Sequence, residues 1–363
     1  MKNATIALAI LIFSLVPTLA VHAQPTVAQS QAVQSEETQP SPDMASPEEP
    51  KPEQERPTVW GEPTEVKIFI YVIDVDGVDS ANQKFTASLY YQAVWNSPTL
   101  RHQGPGPLIK GTIDVWTPRL TIVNQQEAWA SFPNFVEISP GGDVVLRQKI
   151  WGSFSQPMDL RDFPIDRQRL TVHIAAAGLK ESQVAMVPLI MEDGKASGIA
   201  KQFSIPDFDV VSWKVERRPY VVFEGFEGTA GFVIEIDVQR QMNYYFWKLI
   251  LPLCLIVMMS WIPRWVDPSQ IGTNIGVATT SFLTLVAYLF AVAHLLPRIS
   301  YFTRLDQFIL LSTLMVFVSL LQTVATTTLS RGKATVPIEL VERWSRIAYP
   351  VILLAVLGIS FGL

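Results

Sequence analysis

Cysteine is nearly absent: Cys254 is the only one in 363 residues, and it lies inside an apolar run. An intrachain disulfide, a CxxC redox pair and a cysteine-built zinc site are therefore excluded. Histidine is almost as scarce. Of the four, His22 lies in the leading segment, His294 in a long apolar segment, and His102 and His173 have no adjacent ligand pattern. GxSxG, HExxH, P-loop and complete GxGxxG motifs are all missing, so no enzyme, metal or cofactor is expected. Nor do Lys and Arg cluster into a basic patch for nucleic acid. Charge is sparse in the last third, where residues 241–363 carry four acids and eight bases.

Apolar length is what the chain has in quantity. Four segments, at about 244–264, 273–296, 305–329 and 338–362, each approach the roughly 20 residues that a helix needs to cross a bilayer. Residues 1–23 open with Lys2, continue through the apolar Ile6 to Val16 and end on the small-x-small Val21-His22-Ala23, which predicts a cleaved signal peptide. With an exported N-terminus, four spans return the C-terminus to the outside and leave two inner connections. Arg264 falls in the first, and Arg331, Lys333, Arg343 and Arg346 in or near the second, against Arg298 and Arg304 in the outer one. A bacterial inner membrane with the N-terminal half in the periplasm is the expected location.

Residues 24–59 are rich in Pro, Gln, Glu and Ser and poor in core-forming side chains, which predicts a disordered acidic tether. From Trp60 to Arg240 the chain holds 22 acids and 17 bases, so the extramembrane part is acidic. It reads as short strands at 66–73, 85–95, 120–123, 144–151, 170–174, 210–215 and 232–238, with apolar and polar residues alternating between Gly, Pro, Asp and Ser clusters. The expected fold is therefore an all-β extracellular sandwich, residues 60–240, on an all-α four-helix transmembrane domain, residues 241–363.

The second apolar segment carries Thr273, Thr279, Thr280, Ser281 and Thr284, an unusual load of hydroxyls for a lipid-facing helix. Steps of four and three connect Gly276, Thr280, Leu283, Ala287, Phe290 and His294 along one helical face. Around a central axis that face would line a pore, with a hydroxyl ring at Thr280 and apolar rings at Leu283 and Phe290. Hydroxyls bonded back to their own helix and an apolar ridge in an ordinary bundle explain the same spacing. Spacing alone leaves both open.

The stretch LRDFPIDRQRL, residues 160–170, with its Phe163-Pro164-x-Asp166 core, resembles the signature loop of pentameric ligand-gated ion channels, the Cys-loop receptor superfamily. Gln156 and Leu170 occupy the positions of its two cysteines, as is typical of prokaryotic members. Trp116-x-Pro118, Arg240, Pro252 and Pro297-Arg298 agree, and the stretches around residues 152–170 and 284–308 are most similar to the bacterial amine-gated members.

The resemblance implies a homopentamer among membrane lipids, passing inorganic ions, with gates at Leu283 and Phe290. It also implies coupling of sandwich to membrane through Phe163, Pro164, Asp166 and Arg240, joined by Asp76 or Asp79 in the first hairpin and by Pro297. A small-molecule agonist is expected between adjacent sandwiches, at Tyr90 on one face and Trp213, Tyr220, Phe223 and Phe226 in a late hairpin. Ala175-Ala176-Ala177 stands where the amine-gated relative has an acid, a proline and an aromatic, and Arg147 points toward the same pocket. The agonist class is thus an amine, a zwitterion or a carboxylate, with protons a further candidate through external acids and His294. Cation conduction is expected, although the acid ring usual at the inner end is replaced by Ile271-Gly272-Thr273-Asn274, with Asp267 the nearest acid. A non-conducting membrane-anchored solute receptor is the alternative.

Overall fold

The structure, a computed structural model, describes residues 52–57, 61–191, 194–225, 227–267, 269–293, 299–331 and 338–362. The expected signal peptide and most of the expected tether lie outside the described residues.

Twelve strands are described: β1 Thr64–Asp79, β2 Lys84–Asn96, β3 Leu108–Gly111, β4 Leu120–Ile122, β5 Gln125–Ala130, β6 Phe135–Ile138, β7 Asp143–Ser155, β8 Arg167–Lys180, β9 Val184–Pro188, β10 Gly198–Ile199, β11 Phe208–Arg217 and β12 Thr229–Arg240. Eight form one sheet, in the order β10-β1-β2-β7-β6-β3 with β5 on β7 and β9 on β1; the other is β11-β12-β8-β4. Pairing is antiparallel except where β9 and β10 add in parallel to β1.

Alternation builds the core between the sheets, because successive side chains on a strand point to opposite faces. On β2 the buried apolar set is Phe85, Ala87, Leu89, Tyr91, Ala93 and Trp95; on β7 it includes Val144, Leu146, Ile150 and Phe154. Register places Phe85 opposite Phe154, their rings 5.3 Å apart, and Leu89 opposite Ile150. From the second sheet Leu170, Val172 and Ile174 pair with Ile236, Ile234 and Phe232.

Each of the seven expected strands is present. The five unexpected ones are short, and β5, QQEAWA, is almost wholly exposed, so it has no alternation to read. The predicted tether also ends earlier than expected. Pro52–Gln54 form a 3-10 turn whose Glu53 pairs with Lys110 at 2.6 Å and accepts the Trp116 N–H on its backbone carbonyl at 2.8 Å. Polar composition did not keep this stretch off the sandwich, because its bonds are to backbone and to one complementary charge.

Among the described residues, four helices are long and apolar enough to cross a membrane: α1 Asn243–Trp265, α2 Ile271–Val292, α3 Arg304–Arg331 and α4 Ile338–Phe361. In α1 a five-residue π-turn, Phe246–Ile250, precedes Pro252. A ring without an N–H removes one helical bond, and the wider turn re-registers the ladder there. Leu249, Leu253, Leu285, Phe308 and Tyr349 build the helical core, and Leu160 and Phe163 of the signature loop are buried in the same cluster. The loop is thus part of the membrane domain's packing.

Candidate functional site

Arg240, the last residue of β12, is 6% exposed and grips Asp166, 2% exposed, with both sides of its guanidinium. Nε donates to Oδ1 at 2.7 Å and Nη2 to Oδ2 at 3.2 Å, while the Arg240 backbone N–H donates to the Asp166 carbonyl at 3.1 Å. Nη2 also donates to Ser80 Oγ at 2.8 Å and Nη1 to the Tyr245 hydroxyl at 3.3 Å. Phe208 and Phe163 flank the cation, with ring centroids 4.4 and 5.0 Å from its Cζ. Gln168 Nε2 donates to Asp166 Oδ2 at 2.7 Å. Every charge in this buried pair is met, and removing one partner from such a pair costs about 3–5 kcal/mol.

The hairpin joining β1 to β2 reaches this cluster, but through Ser80, not through Asp76 or Asp79. Asp76 Oδ2 accepts the Trp151 indole N–H at 2.7 Å. Asp79 turns back on its own loop, where Asn82 donates its backbone and side-chain N–H at 3.0 and 2.7 Å. Burial raises the Asp79 carboxyl's pKa, but those bonds outweigh it and hold it below the usual range. A serine with no charge to advertise gave no sequence signal for its role.

Sequence reasoning also missed the contact to the membrane side. Pro297 lies outside the described residues, while Tyr301 and Arg304 carry the contact that is seen. The Leu160 N–H donates to the Tyr301 hydroxyl at 3.0 Å, and the N–H groups of Arg304 and Leu305 donate to the carbonyls of Arg161 and Phe163 at 3.0 and 3.2 Å. Arg304 Nε donates to Asp162 Oδ1 at 2.6 Å. The Phe163-Pro164 peptide is cis. Phe163 stands edge-on to Tyr245, 4.9 Å away.

On α2, Gly276, Thr280, Leu283, Ala287 and Phe290 are all exposed, Leu283 at 67% and Phe290 at 74%. Asn274, Ala278, Ser281, Leu285 and Val292 face inward. The hydroxyls of Ser281 and Thr284 donate to the carbonyls of Val277 and Thr280, each at 2.8 Å. His294 lies outside the described residues. At the other end Asp267 is exposed, and bonds from the Ser269 backbone and side chain hold its carboxyl below the usual range.

The aromatic candidates divide between the two sheets. Tyr90 on β2 donates to Gln92 Oε1 at 3.0 Å, and Arg147 Nε on β7 donates to the same oxygen at 3.3 Å. Tyr90 lies edge-on between Phe69 and Phe132. Arg147 Nη1 meets Glu137 at 2.6 Å, so the fork expected to receive a carboxylate ligand is already engaged by the chain's own carboxylate.

In the hairpin between β11 and β12, Tyr220 bridges Thr229 and stands edge-on to His173, 5.5 Å away, while Phe223 is 67% exposed. A Cβ on Gly231 would collide with the Arg218 carbonyl and the His173 ring, so glycine lets the hairpin base close. The ring of Trp213 does not join this group: it lies over Gly198 of β10, where an added Cβ would be 3.6 Å from it. Phe226 lies outside the described residues.

Glu235, nearly buried beneath the hairpin, meets Arg218 at 2.6 Å and Lys214 at 3.1 Å. Its burial pushes the carboxyl up, and those bonds pull it below the usual range.

A sandwich whose signature loop is bonded to the start of α3 and packed among membrane-spanning helices defines a multi-pass membrane receptor with an extracellular ligand-binding domain. The family model for the neurotransmitter-gated ion-channel ligand binding domain matches residues 52–242, and that for the neurotransmitter-gated ion-channel transmembrane region matches residues 249–350. The chain belongs to this family, the Cys-loop superfamily of ligand-gated ion channels, which are not enzymes. It is similar to a gamma-aminobutyric acid receptor subunit beta of Caenorhabditis elegans, 24% identical over 279 residues, covering 73% of this chain and 49% of that one. It also resembles a subunit of the same name from Lymnaea stagnalis, 22% identical over 284 residues, with coverage of 73% and 56%. The chain thus spans about half the length of these relatives.

Proposed function

We propose that five copies of this chain form a ligand-gated channel in a bacterial inner membrane, closest in kind to the amine-gated members. Residues 60–240 bind a small molecule between neighbouring periplasmic sandwiches, and residues 241–363 open a pore in response. The observation that carries this reading is the face of α2: Gly276, Thr280, Leu283, Ala287 and Phe290 are exposed along one stripe while the opposite face is packed. Around a five-fold axis Leu283 and Phe290 form apolar rings that exclude water when narrow, and Thr280 presents a ring of hydroxyls.

Ligand acts by binding the open form more tightly than the closed one. Tyr90 of one copy and the Tyr220–Phe223 hairpin of the next would bracket it, which suits a ligand with an ammonium group. The relatives are named for gamma-aminobutyric acid, which carries both an ammonium and a carboxylate. With Arg147 neutralised by Glu137, the ammonium end is the one this pocket is built to hold. Cation conduction is supported by the acidic sandwich, by Asp267 as the acid nearest the inner end of α2, and by the absence of Lys and Arg from Ile271–Val292.

Purified protein in voltage-clamped bilayers tests the reading directly. Amines and amino acids are screened for current, reversal potentials are measured under a salt gradient, and Leu283→Ala is run alongside. Ligand-dependent cation current that opens more easily in Leu283→Ala is expected. Ligand binding without current at any concentration would leave the non-conducting receptor, and an anion reversal potential would overturn the selectivity.

A further inference from the structure

Arg264, at the close of α1, and Asn274, in the first turn of α2, are both buried, 4% and 2% exposed. Nη1 of Arg264 donates to the Ser260 carbonyl at 3.2 Å and to Ser319 Oγ at 2.9 Å, and Nη2 donates to Gln322 Oε1 at 2.8 Å. The Nε–H is buried and meets no acceptor among the described residues. Asn274 Nδ2 donates to the Asp267 carbonyl at 3.0 Å, which fixes the orientation of the amide. Its Oδ1 is buried and meets no donor among the described residues. A donor and an acceptor are thus each left without the hydrogen bond that water gave them before folding, a costly state that native interiors rarely keep.

Both residues line one small polar cavity, about 10 Å³ in volume, where the four helices meet. Thr323 and Thr326 of α3 and Glu342 of α4 contribute to its wall. The Thr323 hydroxyl donates to the Ser319 carbonyl at 2.9 Å and the Thr326 hydroxyl to the Thr323 carbonyl at 3.2 Å, so neither hydrogen is spare for the cavity. Glu342 is 8% exposed, and its negative charge acts on Arg264. One cation and one anion in the same wall leave the site neutral as a whole.

Size and chemistry together select the occupant. A cavity of about 10–15 Å³ on this measure admits one water molecule and nothing larger. Whatever sits there must accept from the Arg264 Nε–H and donate to Asn274 Oδ1. A metal ion or ammonium cannot accept and is repelled by the guanidinium, whereas a halide cannot donate. Water does both and keeps a second hydrogen for the Glu342 carboxylate or the Thr326 oxygen.

We propose that this cavity binds a single water that accepts from Arg264 Nε and donates to Asn274 Oδ1. Asn274 is then held from both sides, by the Asp267 carbonyl on its amide N–H and by Arg264 through the water. Because Arg264 is itself bonded to Ser319 and Gln322 of α3, the water carries that grip to the first turn of α2, the helix whose exposed stripe is the candidate pore lining. The site therefore anchors one end of α2 to α1 and α3. The inference concerns the helical bundle alone and stands apart from whether the channel conducts.

The test is electron cryo-microscopy of the full-length protein in phosphatidylcholine nanodiscs, at a resolution that shows ordered waters, for the unaltered chain and two variants at Thr326. In the unaltered chain a peak is expected within about 3.2 Å of both Arg264 Nε and Asn274 Oδ1. Thr326→Val keeps the size of the side chain and removes a hydroxyl that the water does not need, so the peak should remain. Thr326→Leu adds a methylene to a wall with room for one water, so the peak should vanish. Hydrogen exchange on the same samples reads the anchoring. Protection of the amides of residues 271–278 should fall about ten-fold in Thr326→Leu, which leaves a buried charged donor unmet, and less than about two-fold in Thr326→Val. Should Thr326→Leu fail to assemble, the maps of the unaltered chain and of Thr326→Val still decide. No peak between the two atoms in the unaltered chain, a direct bond from Nε to Asn274 or Glu342 in its place, a peak that survives Thr326→Leu, or equal protection in the two variants would each overturn the proposal.

Discussion

Gln156 clasps β8 on either side of Leu170: its Nε2 donates to the Arg169 carbonyl at 2.7 Å, and its Oε1 accepts the Thr171 N–H at 2.8 Å. Two amide bonds therefore close the neck of the signature loop where the resemblance places a disulfide in animal receptors. Gln156→Ala should cost about 1–2 kcal/mol, the net worth of two such bonds. Chemical denaturation of the purified protein reads that loss. A loop that stays equally stable without the amide would show the neck to be closed by packing of Leu170 alone.

Ser80 gives a sharper test of the junction than either acid beside it. Its hydroxyl accepts from the buried Arg240, so Ser80→Ala leaves one N–H of a buried cation unmet and should destabilise by about 1–3 kcal/mol. Asp79→Ala removes only bonds within an exposed turn and should change stability by less than about 1 kcal/mol. Asp166→Asn and Arg240→Gln should each lose more than Ser80→Ala, and their combination less than the sum, because the second change removes an already unpaired group. Denaturation midpoints of the four single variants and the double variant provide the comparison.

Much of the sandwich was legible because β2, β7 and the first half of β8 alternate, and alternation is what a half-buried strand imposes, while β12, buried without a break from Ala230 to Ile236, was legible from its apolar run. β5 was not, since an exposed edge strand imposes nothing on its side chains. The stripe on α2 was legible for the same physical reason, one packed face and one unpacked. Roles that depend on a single hydroxyl or on backbone atoms left no trace in residue type. Ser80, Tyr301 and the carbonyls of Arg161 and Phe163 are of that kind, whereas Asp76 and Asp79 drew attention by charge, and the bonds they make are to Trp151 and to Asp79's own turn.

Arg147→Ala should leave sensitivity to a carboxylate-bearing agonist unchanged within about two-fold, because Glu137 already occupies the guanidinium. Dose–response currents with an amino acid and its decarboxylated amine separate the possibilities. A selective loss for the amino acid would mean that ligand displaces Glu137.

His173 makes the hairpin base sensitive to acid. Burial lowers its pKa below the ordinary value, against an opposing hydrogen bond to the Arg218 carbonyl, with Arg218's charge adding to the lowering. A depressed folded-state pKa means the contribution is fully present above the unfolded value of about 6.5 and is lost as pH falls through the folded one. Protection factors of residues 218–231, taken relative to the intrinsic exchange rate at each pH, should therefore fall between about pH 7 and pH 5, and His173→Gln should flatten that profile. An equal fall in the variant would assign the effect to the carboxylates around Glu235.

Two of the bonds that join the signature loop to α3 run from backbone to backbone, Arg304 to Arg161 and Leu305 to Phe163. Such bonds are blind to which side chains stand on either side. The two halves of this receptor are in that respect interchangeable parts: a sandwich grafted onto a foreign helical base would find the same seam waiting, and compatibility would be decided at Tyr301, Asp162 and the arginine that closes β12.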